Sequence, residues 1–542
     1  MATVAEAVGA ALVRHGADTV FGVVGSGNFA VTNAMVAAGA RFVAARHEGG
    51  AATMADAYAR ASGTPGVLSV HQGCGLTNAL TGITEAAKSR TPLVVLAAEA
   101  TSPLSNFAVD QAGLAAAVGA VPRRVSSAAT ALEDVAAAVA TAVGERRTVL
   151  LNLPLDVQVD DVPHGATDPV VPAPALPAPA AADVDRLAAV LQTAARPVFV
   201  AGRGARHARA ALEELADRCG ALLATSAVAR GLFAGNPWSL GTSGGFASPL
   251  AAELIREADL LVAWGCSLTM WTTRHGRLVG PGTRVAQVDL EPGAIGRNQP
   301  ADTGVVGDVR RTAEAVGAVL GTTCPGYRSP ELADRLAAGV RWRDVPFTPA
   351  AHADRIDPRT LTTALDDLLP EQRLVAVDSG NFMGYPSAFL DVPDADGSVF
   401  TQAFQSVGLG LATAIGAALA RPDRLTVAAL GDGGALMGAS ELETVVRLGL
   451  PLVVVVYDDA AYGAEVHHFG PDGHPLDTVR FPDADLAAVA RGHGFEAHVV
   501  RAERDLEPVA RWLAGPRSRP LLLDAKVAAD EPSWWLAEAF GH

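Results

Sequence analysis

The sequence predicts an α/β protein made of three doubly wound parallel-sheet domains. Short apolar, β-branched runs of strand length alternate with helix-length segments, which is the pattern of a parallel sheet covered by helices. Two stretches rich in proline or polar residues, 162–182 and 323–356, interrupt this alternation and are predicted linkers. At 542 residues the chain is also too long for one core. The predicted domains are residues 1–162, 183–322 and 357–542.

The first domain shows the alternation most clearly. Apolar periodicity predicts its helices, and apolar runs bounded by glycine or polar turns predict its strands. The helices are predicted at residues 3–16 and 51–61, and the strands at 19–24, 41–45, 66–70 and 93–97. Each of the first three strands leads into a turn rich in glycine and polar side chains, where open parallel sheets bind ligands.

The second and third domains repeat this pattern. The third is predicted to open on a helix start at Asp357, and it includes a parallel strand–helix–strand crossover. The strands are predicted at residues 197–201, 260–264, 284–289, 425–430 and 452–457, and the helices at 411–420 and 439–448.

The composition describes an acidic, well-buried globular protein. A hydrophobic content of 49% with 18% charged residues excludes a disordered chain. The 42 basic and 58 acidic residues give a net charge of −16, which disfavours nucleic acids and anionic membranes as partners. A bound anion must then be held by local features.

The cysteines and the chain start predict a cytoplasmic protein. The four cysteines lie at 74, 219, 266 and 324, without metal-type spacing or a secreted disulfide framework. The N-terminus lacks a basic-then-apolar signal, and no apolar run reaches the roughly twenty residues that span a bilayer.

The crossover of the third domain carries the strongest chemical pattern. Its first strand leads into Gly431-Asp432-Gly433-Gly434, whose glycines let backbone amides approach an anion at a helix start. Its second strand leads into Asp458-Asp459. Because adjacent parallel strands end at the same sheet edge, Asp432 and Asp459 can face one site, where two carboxylates favour Mg²⁺ or Ca²⁺ beside a phosphate. A plain strand-to-helix turn is the alternative.

This arrangement resembles the diphosphate-binding motif of thiamine diphosphate (ThDP) enzymes, which opens with Gly-Asp-Gly and closes with an Asn pair. The chain departs from the motif at Asp458-Asp459, and the extra charge is expected to tighten the metal and repel the phosphates. The resemblance implies ThDP and Mg²⁺ as cofactors, with Asp432, Asp459 and Ala461 at the metal. It implies that the cofactor contacts include Gly431, Asp432, Gly433, Gly434, Asp459, Ala461, Tyr462 and Gly463.

Glu48 is the second anchor of the resemblance. It stands between a predicted strand and helix, in the segment Arg46-His47-Glu48, which is similar to the family segment whose Glu hydrogen-bonds the aminopyrimidine. In the family this bond favours the tautomer that generates the ylid, so Glu48 is the implied activator and a cofactor contact. A favourable partner for the helix dipole is the alternative reading.

Two turns of the first domain carry implied substrate-facing residues. Ser26 and Asn28 are the polar tips of one turn, and either could bind a substrate carboxylate or cap the next helix, with the substrate role favoured for Ser26. His71 opens the other turn and resembles an active-site His of benzoylformate decarboxylase, where it could relay a proton. A buried structural His is the alternative, and Cys74 is predicted to be a packing residue.

The third domain supplies three further implied positions. Val407 resembles the wedge that bends the cofactor, beside the carbonyl of Gln405, although ordinary packing is the alternative. Glu465 stands where pyruvate decarboxylase-like enzymes carry a catalytic Glu. His467 and His468 follow on the same predicted helix, where a solvated face or a phosphate-side contact competes with catalysis.

The three-domain plan is similar to that of the ThDP-dependent 2-oxoacid decarboxylase and acetohydroxyacid synthase group. This resemblance implies addition of the ylid to a 2-oxoacid, decarboxylation, and then release of an aldehyde or ligation to a second carbonyl. It also implies a homodimer or homotetramer with the active site between subunits. Acetolactate synthase proper, carbon–carbon cleavage of a diketone or 2-hydroxyacyl substrate, and a non-catalytic ThDP-fold protein are the alternatives.

The middle domain leaves one more alternative open. Gly202-Arg203-Gly204 follows a predicted strand but lacks the third glycine of a dinucleotide fingerprint. A plain turn is favoured over nucleotide binding, and over a nucleotide-dependent oxidoreductase. Some relatives bind flavin (FAD) in the middle domain, and no fingerprint for it stands here.

Overall fold

A computed structural model describes residues 2–321, 324–350 and 352–536. It contains three six-stranded sheets in which all paired strands run parallel. The prediction of an α/β protein with three doubly wound parallel sheets is confirmed. The predicted domain limits at residues 1, 322 and 542 lie outside the described residues.

The first sheet has the strand order β2-β1-β3-β4-β6-β5. Its strands are β1 Thr19–Gly22, β2 Arg41–Ala44, β3 Gly66–Val70, β4 Leu93–Glu99, β5 Val121–Arg124 and β6 Thr148–Pro154. Its helices are α1 Val4–Arg14, α2 Phe29–Ala37, α3 Glu48–Ser62, α4 Cys74–Lys88, α5 Gln111–Ala117, α6 Ala131–Gly144 and α7 Leu155–Gln158. The order places β1 between β2 and β3, so the turns after these three strands share one edge.

The second sheet has the order β12-β11-β10-β7-β8-β9. Its strands are β7 Pro197–Ala201, β8 Leu222–Thr225, β9 Ser239–Thr242, β10 Leu260–Trp264, β11 Arg284–Asp289 and β12 Thr303–Val306. The helices of this region are α8 Ala181–Thr193, α9 Arg209–Cys219, α10 Pro249–Arg256, α11 Met270–Thr273, α12 Val309–Val319 and α13 Pro330–Gly339. The order reverses between β10 and β7, which is where open α/β sheets bind ligands.

The third sheet has the order β14-β13-β15-β16-β18-β17. Its strands are β13 Arg373–Val377, β14 Ser398–Phe400, β15 Leu425–Gly431, β16 Val453–Asp458, β17 Glu496–Val500 and β18 Leu521–Lys526. Its helices are α14 Pro358–Leu368, α15 Gly384–Phe389, α16 Gly410–Ala420, α17 Asp432–Met437, α18 Glu441–Arg447, α19 Gly463–Phe469, α20 Leu486–His493 and α21 Glu507–Ala514.

Several predicted boundaries are wrong, for local reasons. Helix α3 begins at Glu48 because His47 adopts an extended N-cap conformation and accepts a hydrogen bond from the Gly49 amide. The helix predicted over 439–448 is α18, Glu441–Arg447, and a separate helix that was not predicted, α17, precedes it at Asp432–Met437. The predicted linker 323–356 contains α13, which Ser329 caps.

The first and third sheets share one hydrophobic core. A single buried cluster includes residues from both, and helices α3 and α16 meet within it. A Cβ at Gly416 would lie 2.2 Å from the carbonyl oxygen of Met54, so glycine allows this close helix approach. No helix in the described ranges is long and apolar enough to cross a bilayer.

Candidate active site

The predicted site residues fall into two groups, at the carboxyl ends of two sheets. The acidic cluster lies at the third sheet and consists of the predicted Asp432 and Asp459 with Asn381, which the sequence analysis missed. The histidine cluster, Ser26, Glu48 and His71, lies at the first sheet, after β1, β2 and β3. No hydrogen bond, ion pair or ring contact within residues 2–321, 324–350 and 352–536 joins the two clusters.

The acidic cluster forms because β15 and β16 are neighbours in register. Gly431 pairs with Tyr457, so the turns that follow both strands meet. Asp432 is the first residue of α17, and Asp459 accepts a hydrogen bond from the Ala461 amide at 3.2 Å. The side-chain amide of Asn381 donates to the other oxygen of Asp459 at 3.4 Å.

The pKa values of both carboxylates are raised, chiefly by burial. Burial raises the pKa of Asp432 to about 7, and the charges of Asp459 and Asp458 add to this. Burial also raises the pKa of Asp459 to about 6, against the hydrogen bond from Asn381. Two half-buried carboxylates at neighbouring strand ends, one of which feels the charge of the other, favour a cation between them.

Asp458 does not face this point, so the expected effect of its extra charge needs correction. Its Oδ2 accepts a hydrogen bond from Lys526 Nζ at 2.5 Å, and its Oδ1 accepts from the Ala460 amide at 3.0 Å. Burial opposes the charge of Lys526, but the hydrogen bond and charges of Asp458 and Asp524 raise its pKa. The added negative charge is therefore paired with a lysine.

The glycines of the turn have no side chains beside the acidic cluster, and a Cβ would not fit at Gly434. A Cβ at Gly434 would lie 2.3 Å from Asp378 Oδ2 and 3.3 Å from Val407 Cγ1, whereas Gly433 meets only the ring of Tyr462 at 3.6 Å. Gly463 is equally crowded, with Asp459 Oδ2 2.3 Å from its Cβ position. The bare backbone and the neighbouring carboxylates fit a phosphate held through a divalent cation.

Side chains alone do not complete a metal site. Across the described parts of the chain, no three His, Cys, Asp or Glu side chains group as metal ligands. The predicted set has two carboxylates with Ala461, whose side chain has no donor atom. Hard cations complete their coordination with backbone, water and phosphate oxygens, so two carboxylates are consistent with Mg²⁺.

The loop before α16 is held by Asp378, which the sequence analysis missed. Asp378 follows β13, and its carboxylate accepts from the amides of Gly408 at 3.0 Å and Leu409 at 3.2 Å. Burial raises its pKa to about 6 in spite of these bonds. The signal was available, because a lone Asp after an apolar strand marks a carboxyl edge.

Gln405 and Val407 project from this loop. Gln405 has a φ of 60°, which is uncommon outside glycine and costs of order 1 kcal/mol. Val407 is 38% exposed, so the alternative of ordinary packing does not account for it. Val407 lies beside the glycine turn, where the resemblance predicts the cofactor, and Gln405 lines a cavity beside the central domain.

Helix α19 carries the remaining predicted positions. Tyr462 stands before it and packs edge-on to Phe481, with ring centroids 4.9 Å apart. Glu465 is exposed on its first turn. His467 is half-buried, and burial lowers its pKa. Of the predicted alternatives, a fully solvated face does not fit His467.

The histidine cluster is partly open to solvent, and the backbone fixes one nitrogen of His71. His71 Nδ1 lies 2.9 Å from the carbonyl oxygen of Gln72, so this nitrogen carries the hydrogen. In the neutral ring Nε2 is then an acceptor, and it lies 3.4 Å from Ser26 Oγ. His71 is therefore not a fully buried structural histidine, and its Nε2 can accept or return a proton.

Glu48 belongs to the same cluster through Gly75. A Cβ at Gly75 would lie 3.1 Å from His71 Cβ and 3.5 Å from Glu48 Oε1. Asn78 donates to Glu48 Oε2 at 3.1 Å, which orients the carboxylate. Glu48 also opens α3, so the helix-dipole alternative describes its position as well.

The alternatives weighed for Asn28 are both wrong. It stands at the N-cap of α2, yet its side chain makes no capping bond. Instead it is fully buried, accepts from the Gly25 amide and donates to Val23 and Ser69, so it shapes the turn. The thiol of Cys74 is exposed, against the prediction of a packing residue.

A buried charge network links the first domain to residues 401–409 before α16 of the same chain, which we call the cofactor loop because the resemblance predicts the cofactor there. Glu85 accepts from the amides of Ala403 at 3.1 Å and Phe404 at 2.7 Å. Arg60 joins Glu85 at 2.8 Å and Asp56 at 2.6 Å. The sequence analysis missed this network, because its members stand on helix interiors that only tertiary packing brings to the loop.

The central domain borders a large cavity of about 1330 Å³. It opens at the carboxyl ends of β7 and β10 and reaches Gln405 of the cofactor loop. Its cationic lining comprises Arg60, Lys88, Arg90, Arg146, Arg203 and Arg206. Burial lowers the pKa of Arg203 to about 9. Arg60, Arg90 and Arg206 are paired with carboxylates, and Asp289 and Asp396 also line the cavity. The half-buried Arg203 is therefore the cation that best fits an anionic ligand.

Comparison with family models gives three matches in sequence order. Residues 2–120 match the thiamine pyrophosphate enzyme N-terminal TPP binding domain, residues 184–316 the central domain, and residues 378–525 the C-terminal TPP binding domain. Thiamine pyrophosphate is another name for ThDP. The acidic cluster lies in the C-terminal match and the histidine cluster in the N-terminal match.

Curated proteins that are similar to this chain align with it over nearly their whole length. A probable 2-ketoarginine decarboxylase of Pseudomonas aeruginosa is 32% identical, over 94% of this chain and 91% of that protein. A sulfoacetaldehyde acetyltransferase of Rhodobacter capsulatus is 28% identical, over 94% and 91%. An acetolactate synthase large subunit of Parasynechococcus marenigrum is 30% identical, over 96% and 87%.

Proposed function

The chain belongs to the thiamine pyrophosphate enzyme family, and on that premise we propose that it is a ThDP- and Mg²⁺-dependent enzyme that decarboxylates a 2-oxoacid. The product is an aldehyde, or a ketol where a second carbonyl compound takes up the activated fragment. The observation that carries this proposal is the pair of half-buried carboxylates, Asp432 and Asp459, that follow two paired strands beside a glycine turn, close enough for the charge of Asp459 to raise the pKa of Asp432.

The third domain would hold the cofactor. Asp432 and Asp459, with Ala461, would hold Mg²⁺, and the bare amides of the glycine turn would bind the diphosphate. Val407 and Gln405 would contact the rings. When bound, ThDP supplies a carbanion nucleophile and an electron sink for decarboxylation.

The histidine cluster would handle the protons. Glu48, oriented by Asn78, would hold a proton at the pyrimidine. His71, whose Nε2 is free to accept, would move a proton to and from the substrate, and Ser26 at 3.4 Å would orient either group. Glu465 would act from the exposed start of α19.

The separation of the two clusters supports a site completed by a second copy. Within one chain they are joined by a shared core and not by a direct polar contact among the described residues. We therefore place the active site between the N-terminal domain of one subunit and the C-terminal domain of another, in a homodimer or homotetramer. Light scattering of the purified protein tests this assembly.

A panel of 2-oxoacids with ThDP and Mg²⁺ tests the proposed reaction. The panel includes 2-ketoarginine, the compound in one relative's name, and pyruvate as a small 2-oxoacid. Pyruvate is assayed with and without sulfoacetaldehyde, the compound in another relative's name, as a second carbonyl compound. Carbon dioxide is followed together with aldehyde and ketol. Carbon dioxide with aldehyde indicates a decarboxylase, and acetolactate from pyruvate alone indicates a synthase. No carbon dioxide from any 2-oxoacid would contradict the proposal and turn the search to diketone cleavage or a non-catalytic role.

The central cavity favours a second, subordinate binding function. Arg203 suits an anionic ligand such as a flavin dinucleotide. A bound flavin would give the purified protein visible absorbance that is lost on denaturation and filtration. Colourless protein that shows no thermal shift with FAD would contradict this binding function and leave the ThDP proposal intact.

A further inference from the structure

Two buried charges end neighbouring strands behind the acidic cluster. Asp458 is the last residue of β16 and Lys526 the last of β18, and the two are partners in register. Asp524 stands two residues before Lys526, so both side chains point to the same face of the sheet. Asp458, Asp524 and Lys526 are all at most 2% exposed.

Asp458, Asp524 and Lys526 form a charge triad whose members contact one another. Lys526 Nζ donates to Asp458 Oδ2 at 2.5 Å and to the carbonyl of Ala484 at 2.5 Å, and it lies 3.1 Å from Asp524 Oδ1. The ammonium therefore donates two hydrogen bonds and forms an ion pair with Asp524 as its third contact. The second oxygen of Asp458 accepts from Ala460, and the second oxygen of Asp524 accepts from Leu486 at 3.0 Å.

The contacts of the triad distinguish Asp458 from the adjacent Asp459. Both oxygens of Asp458 are engaged on the sheet side, whereas the adjacent Asp459 bonds Asn381 and Ala461 on the other side. Ala460, with a φ of 54°, lies next in the chain, and its amide is the one that Asp458 holds. The turn is thus fixed at the point where consecutive carboxylates diverge.

We propose that Lys526 is a positioning residue for the diphosphate site, which holds Asp458 away from the bound cofactor and leaves Asp459 as the carboxylate that faces Mg²⁺. This inference rests on the proposed function. Without Lys526, Asp458 is an uncompensated buried charge beside the diphosphate, and like charges at that range repel strongly in a buried site.

The rival reading is that Asp458 itself binds the metal. Asp458→Asn separates the two, because it removes the charge but keeps the Lys526–Asp524 pair. We expect this variant to bind ThDP and Mg²⁺ within about fivefold of the unmodified protein, whereas loss of a metal ligand would cost about 100-fold or more. A loss of that size would overturn the proposal.

A double-variant cycle supplies the second arm. Lys526→Met is expected to weaken ThDP binding at saturating Mg²⁺ by at least about tenfold, and adding Asp458→Asn is expected to restore most of it. If Lys526 served only the stability of the fold, removing the charge of Asp458 would not restore the ThDP affinity of Lys526→Met. Tryptophan fluorescence titration gives the affinity, and melting of the protein without ligands reports folding.

Arg424→Met is the matched control. Arg424 is a nearly buried cation of the same sheet, paired with Asp394 at the amino end of β15, on the far edge from the acidic cluster. It is expected to lower the melting temperature and leave ThDP affinity unchanged.

Two outcomes would overturn the proposal: unchanged ThDP affinity in Lys526→Met, or a double variant that binds ThDP as weakly as Lys526→Met. Should Lys526→Met not fold, Asp458→Asn alone decides it. No ThDP binding by the unmodified protein would instead contradict the proposed function.

Discussion

The acidic cluster and the histidine cluster are built on opposite electrostatic principles. In the acidic cluster, half-buried carboxylates follow neighbouring strands and burial raises their pKa values to about 7 and about 6. In the histidine cluster, His71 and Glu48 are half-exposed and bond to neutral groups. The first arrangement favours a cation, whereas the second keeps groups able to exchange protons. Under the proposed function, the first cluster would serve cofactor binding and the second proton transfer, so variants of each cluster should affect different measurements.

The largest expected effect is on binding, at the acidic cluster. Asp432→Ala removes one of the two carboxylates, and we expect it to weaken Mg²⁺-dependent ThDP binding by about 100-fold or more. Titration calorimetry measures the affinity. Asp367→Ala is the control, because this exposed Asp stands at the end of α14, before β13, and should bind normally. Unchanged affinity in Asp432→Ala would remove the metal site.

The next effect is on turnover, at the histidine cluster. Glu48→Gln keeps the shape and an acceptor for Asn78 but cannot take a proton, so we expect retained ThDP affinity and a turnover lower by about 10²–10⁴-fold. The measurements are kcat with the best 2-oxoacid and ThDP affinity by titration. Glu133→Gln, an exposed position on α6, is the control. Full turnover in Glu48→Gln would show that the contrast between the clusters is wrong.

A smaller effect is expected from pH, on the acidic cluster alone. The folded-state pKa values of Asp432 and Asp459 lie above the unfolded value of about 3.9, so the folded protein without ligands binds more protons and these groups lose their stabilising contribution as pH rises through 4 to 7. Mg²⁺ displaces those protons. We expect the rise in melting temperature with Mg²⁺ and ThDP to be larger at pH 8 than at pH 5.5.

Scanning calorimetry with and without the ligands at both pH values measures this difference. The same scans of Asp432→Asn, which cannot titrate at that position, are the comparison, and the pH dependence should shrink. A ligand effect that is equal at both pH values would contradict the raised pKa values. A larger effect at low pH would contradict their direction.

The sequence predicted what depends on neighbouring residues and adjacent strands. Asp432 and Asp459 follow consecutive strands that pair directly, so the meeting of their turns follows from parallel topology alone. Strands such as Pro197–Ala201 and Gly66–Val70 had their limits predicted because both faces are buried and the apolar run has sharp ends.

The sequence could not predict what depends on distant partners. Asp458 and Lys526 are 68 positions apart, and their pairing requires β18 to lie beside β16. Glu85 is 319 positions from Phe404, whose amide it accepts. Asp458 and Glu85 act as buried acceptors because of how the chain packs. The sequence pattern shows each of them only as a charge within an apolar segment.

The smallest expected effect is on ThDP affinity, in a variant that breaks a contact between the first and third domains of one chain. Glu85 is buried in the first domain, yet it accepts the amides of Ala403 and Phe404 just before Gln405 of the third. Glu85→Gln replaces one accepting oxygen with a donor, so one of those amides or Arg60 loses its partner. We expect unfolding free energy to fall by about 2–4 kcal/mol.

ThDP affinity in Glu85→Gln should fall by only about three- to tenfold, because Asp378 still holds Gly408 and Leu409 at the other end of the loop. Denaturant melts and fluorescence titration measure the two quantities. Arg343→Met is the control, since it breaks a pair with Asp366 in the third domain without touching the loop. If Glu85→Gln loses stability and keeps full ThDP affinity, the N-terminal domain stabilises its own chain without shaping the cofactor loop. In that case the coupling between the clusters would depend entirely on contacts between subunits.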